Sequence, residues 1–561
     1  MAKTNLIISF LLLLSFFSSS LADYSTPDSI CSLTPHPNFC KSFLPFSNNN
    51  PLAPSSLHDY GRSSLSHSLS HAQDFHSMVD HFSSAIPSTS YSNPLQDCHL
   101  LSELNIDYLS QACEAVKGKD TFLEDYEADD LMTWLSSTIT NQETCLEGLS
   151  QYSASPSSSF KNAMFPHLYD GELYNSVSLA LFKHGWVRDD YQPSDAGNNG
   201  RWLAESEQIV SKLARSRSHH LLPRRSHRPT KGRSLVVADG IQVSQIVVVN
   251  QYGTGNFSTI SDAVAVAPNN TELVDGYYVI HLMAGVYEEY VSIPKQKRYI
   301  MLIGDGINQT VITGNRSVVD GWTTFNSATF AVLGRGFVAV NVTFRNTAGP
   351  SKHQAVAVRN GADKSTFYSC SFEGYQDTLY AHSQRQFYRN CHIYGTIDYI
   401  FGNAAAVLQN CNIYSRRPMD NQFNTVTAQG RTDPNQNTGT SVQNCAVLAT
   451  EDLKTSNVTT KTYLGRPWKE YSTTIVMESF VDGLIDPAGW TPWNASSFAL
   501  DTLYYAEFNN TGPGSSTRDR VHWLGYHVAN ETDAKNFTVS KFLGGNSWLP
   551  QTGVPYTAGL N

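Results

Sequence analysis

Apolar positions follow two different periods, and the change falls near the middle of the chain. Between about Asp59 and Gly185 they recur at helical spacing. Leu131, Leu135, Ile139, Leu146 and Leu149 are separated by four, four, seven and three residues, and Leu173, Val177, Ala180, Leu181 and His184 behave alike. A single apolar stripe per helix is what holds helices in a bundle. The spacing predicts four helices, near 60–86, 94–116, 124–149 and 161–184, joined into an antiparallel all-α four-helix bundle.

The back half carries a strand-like period instead. Five segments align: Ala339-Val-Asn-Val-Thr-Phe344, Phe367-Tyr-Ser-Cys-Ser-Phe372, Tyr388-Arg-Asn-Cys-His-Ile393, Leu408-Gln-Asn-Cys-Asn-Ile413 and Val442-Gln-Asn-Cys-Ala-Val447. Their first, fourth and sixth positions are apolar or Cys, and four of the five have Asn third. The steps between Val342, Cys370, Cys391, Cys411 and Cys445 are 28, 21, 20 and 34 residues. A basic period near 20, lengthened by turn insertions, predicts an all-β, right-handed parallel β-helix. A β-sandwich would need hairpin turns every 8–12 residues, which are not evident. Stacked rungs lie about 4.8 Å apart, within the reach of a disulfide. The column is therefore expected to pair as Cys370–Cys391 and Cys411–Cys445.

The first residues read as a leader. Lys3 precedes an apolar run from Leu6 to Phe17, and Ser20-Leu21-Ala22 supplies small residues for cleavage. The run is too short for the roughly 20 residues of a membrane span. Secretion is expected, and no membrane partner. Ten Asn-x-Ser/Thr sequons, all after residue 250, agree with that route. The chain of 561 residues has 40% apolar and 16% charged content, which excludes a disordered chain, and its net charge of −10 argues against nucleic acid as a partner. The charge is uneven. Residues 23–211 hold 8 basic and 24 acidic side chains, whereas 212–233 hold 8 basic and none acidic. That basic joint, with Arg224-Arg225 and Gly232-Arg-Ser-Leu235, is expected to be cut by a processing protease.

Two stretches of the front half resemble the pectin methylesterase inhibitor and invertase inhibitor family. They are Cys31-Ser-Leu-Thr-Pro-His-Pro-Asn-Phe-Cys40 and Thr133-Trp-Leu-Ser-Ser-Thr-Ile-Thr-Asn-Gln-Glu-Thr-Cys-Leu-Glu-Gly148. The resemblance implies bridges Cys31–Cys40 and Cys98–Cys145 and leaves Cys113 as the odd thiol. The residues themselves suggest a folding or binding module, since no catalytic pair converges there.

Chemistry rides on the back-half period. Gln354, Gln376 and Asp398 are spaced by 22 and 22, with Asp377 beside Gln376. On a coil of that length two amides and two carboxylates share one face. The surrounding motifs resemble plant pectin methylesterases over most of 244–561: Gln354-Ala-Val-Ala-Val-Arg359, Gly374-Tyr-Gln-Asp-Thr-Leu-Tyr380, Gly395-Thr-Ile-Asp-Tyr-Ile-Phe-Gly-Asn-Ala-Ala405 and Leu464-Gly-Arg-Pro-Trp468. Val358 and Tyr399 depart from the Leu and Phe usual there.

The resemblance implies hydrolysis of galacturonate methyl esters in homogalacturonan. Asp398 is then the nucleophile, Arg466 its orienting partner, Asp377 the proton donor and base, and Gln354 and Gln376 the oxyanion donors. Trp468, with Tyr380 and Phe401, is expected to line the sugar groove, where Gln354 and Arg466 also contact substrate. No metal-ligand cluster is evident, and no metal or organic cofactor is expected. Polygalacturonase signatures Asn-Thr-Asp-Gly and Gly-His-Gly are missing from the sequence. The expected layout is a signal peptide (1–22), an inhibitor-like pro-region (23–185) in contact with the enzyme half, a linker (186–243) and a catalytic β-helix (244–561). The product is expected to act as a monomer on cell-wall pectin.

Overall fold

The computed structural model describes residues 26–44, 56–85, 92–151, 158–188, 235–236 and 241–561. The expected leader and most of the expected linker, including the basic segment 212–233, lie outside the described residues.

The helical half opens with α1 (Pro27–Cys31) and α2 (Pro37–Phe43). Thr26 caps α1, its hydroxyl accepting from the Ser29 N–H, and Pro27 sits where a helix needs no amide donor. A Cys31–Cys40 disulfide closes this hairpin. The bundle follows: α3 (Leu57–Ala85), α4 (Ser92–Ala115), α5 (Asp125–Gln151) and α6 (Ser158–Trp186). Cys98–Cys145 ties α4 to α5. Gly61 permits the tight crossing of α3 and α6, because a Cβ there would fall 2.5 Å from the Trp186 ring. The stripe expected on α5 is buried at Leu131, Leu135, Ile139 and Leu149. On α6 His184 is exposed rather than part of the stripe, and Phe182 and Trp186 fill the core in its place.

The β half is a parallel β-helix, a coil of short strands that stack into three sheets of twelve, eight and seven strands among the described residues. All neighbours pair in parallel except the added strand Leu235–Val236, which runs antiparallel to Gln242–Val249. The aligned segments do stack. Ala339 pairs with Phe367, Phe367 with Tyr388, Tyr388 with Leu408 and Leu408 with Val442. The recurrent Asn has a backbone reason. Asn341, Asn390, Asn410 and Asn444 all hold φ between 51° and 58°, the left-handed turn between two sheets. Asn tolerates that conformation better than most side chains.

The cysteine column is real, but its expected disulfides are not formed. Cys370, Cys391, Cys411 and Cys445 are buried free thiols. In-register neighbours of a parallel ladder send their Cα–Cβ bonds in the same direction, whereas a disulfide needs the two sulfurs turned toward each other with a dihedral near 90°. Each Sγ instead lies against backbone carbonyls at the turn. Cys391 Sγ is 3.4 Å from the Phe367 and Arg389 oxygens, and Cys445 Sγ is 3.4 and 3.3 Å from those of Leu408 and Gln443. On the next rung Ser479 makes the same contacts with its hydroxyl, at 3.2 Å to Val442 and 2.9 Å to Met477. The column is a ladder of small polar groups beneath the turn.

The bundle lies against the β-helix along α4, α5 and α6. On α5 the face opposite the leucine stripe is buried too, and it is polar: Ser136, Thr140 and Thr144. Thr144 Oγ1 is 3.0 Å from His382 Nε2, Asn403 donates to Thr140 Oγ1 at 2.9 Å, and Gln436 donates to the Ser136 carbonyl at 2.8 Å. Charge follows the same direction. The bundle acids Asp129 and Asp130 both pair with the buried Arg385, Asp130 also reaches Arg335 and Lys364 at 2.9 Å, and Glu103 reaches Lys295 at 3.0 Å.

Denatured in the absence of reductant, the chain is expected to react with five equivalents of a thiol reagent. Before denaturation only Cys113, which is partly accessible, should react readily. A single reactive thiol after denaturation would restore the paired column.

Candidate active site

The site forms at the turn leading into the seven-stranded sheet. Its strands Leu379–Ala381 and Ile400–Gly402 pair Leu379 with Ile400 and Tyr380 with Phe401. That offset is 21 residues, not 22, so the residue stacked on Asp398 is Asp377 rather than Gln376. The Asp377 N–H donates to the Ile397 carbonyl at 3.0 Å, and the Gln376 carbonyl accepts from the Ala355 N–H on the preceding rung. Both aspartates hold left-handed backbones, with φ of 64° and 52°. Non-glycine residues in that region mark a constrained turn. Here the constraint sets two carboxylates above one another on one edge.

Their surroundings differ sharply. Arg466 grips Asp398 with two hydrogen bonds, Nε to Oδ1 at 2.8 Å and Nη2 to Oδ2 at 2.6 Å. The Thr425 hydroxyl donates to Oδ1 at 2.6 Å and accepts the Asp398 N–H at 2.8 Å. Paired forks of this kind fix a carboxylate in position as well as charge. Asp377 has no such grip. Burial, then the adjacent Asp398 charge, push its carboxyl well above the usual range, and Arg466 only partly offsets them. One carboxylate is thus held by a cation while its neighbour favours a proton. Separating two acids in this way is how a site assigns them different tasks.

Gln354, Gln376, Asp377, Asp398 and Arg466 line one cavity of about 320 Å³. Tyr380, Phe401 and Trp468 line it as well. Tyr380 stacks on Phe401 with centroids 4.2 Å apart, and Trp468 meets both edge-on at 6.3 and 5.8 Å. The structure therefore brings together every residue proposed from the sequence. Tyr399, the departure beside Asp398, points the other way. Its ring is fully buried in the coil and its hydroxyl meets Ser415 at 2.9 Å. The pleat sends neighbours to opposite faces, so that hydroxyl does not enter the cavity.

Part of the remaining wall comes from the helical half, Asp97 of α4 with Thr144, Glu147, Gly148 and Gln151 of α5, and part from Thr323, Phe325, Ala428 and Trp493 of the coil. Asp97 accepts from Thr323 at 2.5 Å and from Asn326 on the cavity rim. Lys469, beside Trp468, is held by Glu143 and by Glu147, the latter at 2.5 Å. One apolar cluster runs from Cys98, Leu101 and Leu149 of the bundle to Phe325, Tyr380 and Phe401 of the coil. The bundle caps the cavity.

Residues 246–546 match the family model "Pectinesterase", more than half of the chain. The chain belongs to the pectinesterase family. Residues 25–181 match a second model, "Plant invertase/pectin methylesterase inhibitor". The chain is 51% identical to "Probable pectinesterase/pectinesterase inhibitor 20" of Arabidopsis thaliana, covering 96% of this chain and 95% of that one. It is 44% identical to "Pectinesterase/pectinesterase inhibitor PPE8B" of Prunus persica over 88% of each. Among solved structures, "Pectin methylesterase from Carrot" is 54% identical with a TM-score of 0.55, and covers 56% of this chain and 98% of that chain. The solved carrot chain thus corresponds to little more than half of this chain.

Sequence reasoning missed two pectinesterase residues around the carboxylates. Thr425 lies one rung beyond Asp398, but Ile400 pairs with Thr427, an offset of 27, so inserted residues hide it from a 21-residue period. Trp493, whose ring faces the Arg466 guanidinium at 4.2 Å, comes from a turn with no repeat at all. Replacing Thr425 by Val removes one donor to Asp398 and leaves its N–H without that acceptor. At about 1–3 kcal/mol for such a loss, kcat should fall roughly 10- to 100-fold, with Thr425→Ser recovering most of it. A Val variant at full rate would remove Thr425 from the site.

Proposed function

We propose that the chain hydrolyses the methyl esters of homogalacturonan to methanol and free carboxylates, through an acyl-enzyme on Asp398, and that its helical half restrains this activity in the uncut chain. The observation that carries the reading is the contrast between the two stacked aspartates, one gripped by Arg466 and one inclined to hold a proton.

The steps follow from those states. Asp398 attacks the ester carbonyl and forms an anhydride. The oxyanion collects N–H bonds from Gln354 and Gln376, each worth about 2.7–4 kcal/mol in sites of this kind. Asp377 gives its proton to the departing methoxide and, now a base, takes one from the water that opens the anhydride. Arg466 receives Asp398 back as a carboxylate. Trp468, with Tyr380 and Phe401 behind it, offers the flat apolar surface a sugar ring packs on. The family acts on a wall polymer, which supports an extracellular site of action. Among the described residues no helix is long and apolar enough to cross a membrane.

The cap supports the second part. A polymer approaching the cavity from the bundle side meets α5. The cap is expected to weaken as pH rises. Burial raises the carboxyls of Asp97 and Glu172 to about 7, and that of Glu147 in the same direction. Acids that bind protons more tightly when docked than when free make docking stronger at lower pH, and that gain is lost as pH rises through about 7. Asp130, held low by Arg385 first and then Lys364 and Arg335, has the opposite sign, but acts only below the ordinary carboxylate range.

Methanol release from highly methylated pectin tests both parts. Residues 234–561 should release it, and Asp398→Ala should abolish it. The full chain should be slower, with the ratio of the two rates growing from pH 8 to pH 5. A silent but folded wild-type segment would sink the esterase assignment. An equally fast full chain would remove the restraint.

A further inference from the structure

Away from the cavity, α3 and α4 bring together three side chains the esterase does not use. His76 and Asp80 lie one turn apart on α3, and His99 faces them from α4. His99 Nε2 is 3.0 Å from Asp80 Oδ1, and His76 Nε2 is 3.8 Å from Asp80 Oδ2. The two imidazoles lie 4.6 Å apart, centroid to centroid. One ligand atom from each of the three residues falls within 4.8 Å of the others.

Ser102 decides what the His76 ring presents. Its hydroxyl donates to the His99 carbonyl at 3.0 Å, so its oxygen is free to accept, and His76 Nδ1 lies 2.8 Å from it. In that arrangement Nδ1 is the donor of the pair. In the neutral ring Nε2 is then a bare lone pair aimed at a carboxylate. Fixing one ring nitrogen with a neighbour, so that the other is presented as a ligand, is the usual outer-shell arrangement of metal-bound histidine.

We propose that His76, Asp80 and His99 form a zinc site that clamps α3 to α4. Two imidazoles and one carboxylate suit zinc, whereas calcium and magnesium prefer all-oxygen shells. Tetrahedral zinc at 2.0–2.1 Å from its ligands needs them about 3.3 Å apart, which small side-chain rotations achieve from the present spacing. Asp80 and His99 are 54% and 45% exposed, which leaves the fourth position open to water. The clamp sits beside Cys98, which is bridged to α5. Metal and disulfide together would fasten α3, α4 and α5 at the end where Asp97 reaches the cavity rim. Sequence spacing did not expose this set, because its third ligand comes from another helix.

The test is calorimetric titration of zinc chloride into the full, metal-stripped chain at neutral pH, with thermal melts beside it. One zinc should bind per chain and raise the melting temperature. His76→Ala, His99→Ala and Asp80→Asn should each weaken binding at least about tenfold, and Ser102→Ala by roughly 10- to 100-fold, the range for outer-shell losses. Metal-free melts of the variants report whether they fold, and Asp80→Asn, the mildest and most exposed change, serves if either His variant does not. The chain also has His219, His220 and His227 in its basic joint. Replacing all three by Ala should leave the zinc stoichiometry unchanged. No zinc uptake, uptake that disappears with the three joint histidines, or undiminished uptake by the folded Asp80→Asn chain would each overturn the site and leave His99 and Asp80 as an ion pair.

Discussion

The register of one parallel ladder sets the rest of the molecule. A rung of the seven-stranded sheet is matched to the next by backbone hydrogen bonds that place Leu379 on Ile400, and one residue of slip would separate the aspartates. The ladder cannot slip easily, because the side-chain period of a strand is two and a shift would turn the buried set outward. Phe367, Tyr388 and Leu408 hold the coil in that register from inside, with Phe367 and Tyr388 stacked at 5.3 Å. Core packing and catalytic geometry are therefore the same constraint, seen from inside the coil and at its edge.

The cap docks at the other end of the same strands. The turns that leave the seven-stranded sheet carry His382 and Asn403, which meet the α5 hydroxyls, and nearby Arg385 meets the α5 acids. Arg385 is bound within its own half by Asp363, at 2.9 and 2.7 Å, before the bundle adds Asp129 and Asp130. Charge networks of this kind gain little net energy against desolvation, but leave a strong penalty if one partner is lost. They fix where the bundle sits more than how tightly. Tightness comes from the shared apolar cluster around Tyr380 and Phe401.

Much of this was legible in the residues. The helical stripes located the four long helices, and the repeating Asn marked the coil turns because so few side chains accept that backbone. Two inferences failed, one through direction and one through register. Cysteines on adjacent rungs are close enough to bond, yet parallel neighbours point the same way. Gln376 and Asp398 matched a period of 22, yet the ladder steps by 21, so Asp377 takes the stacked place. Thr425 and Trp493 stayed hidden because insertions interrupt the period where they lie. The groups that meet the polar face of α5 stayed hidden, since a sequence does not say which residues of a second body will cover it.

The most direct test of the stacked-aspartate account is a crystal structure of residues 234–561 carrying Asp377→Asn with a fully methylated hexagalacturonate. One ester carbonyl carbon should lie within about 3–3.5 Å of an Asp398 oxygen, the near-attack range. Its methoxy oxygen should face residue 377, and its carbonyl oxygen the amides of Gln354 and Gln376. A sugar chain that crosses the cleft with its esters turned away from Asp398 would contradict it.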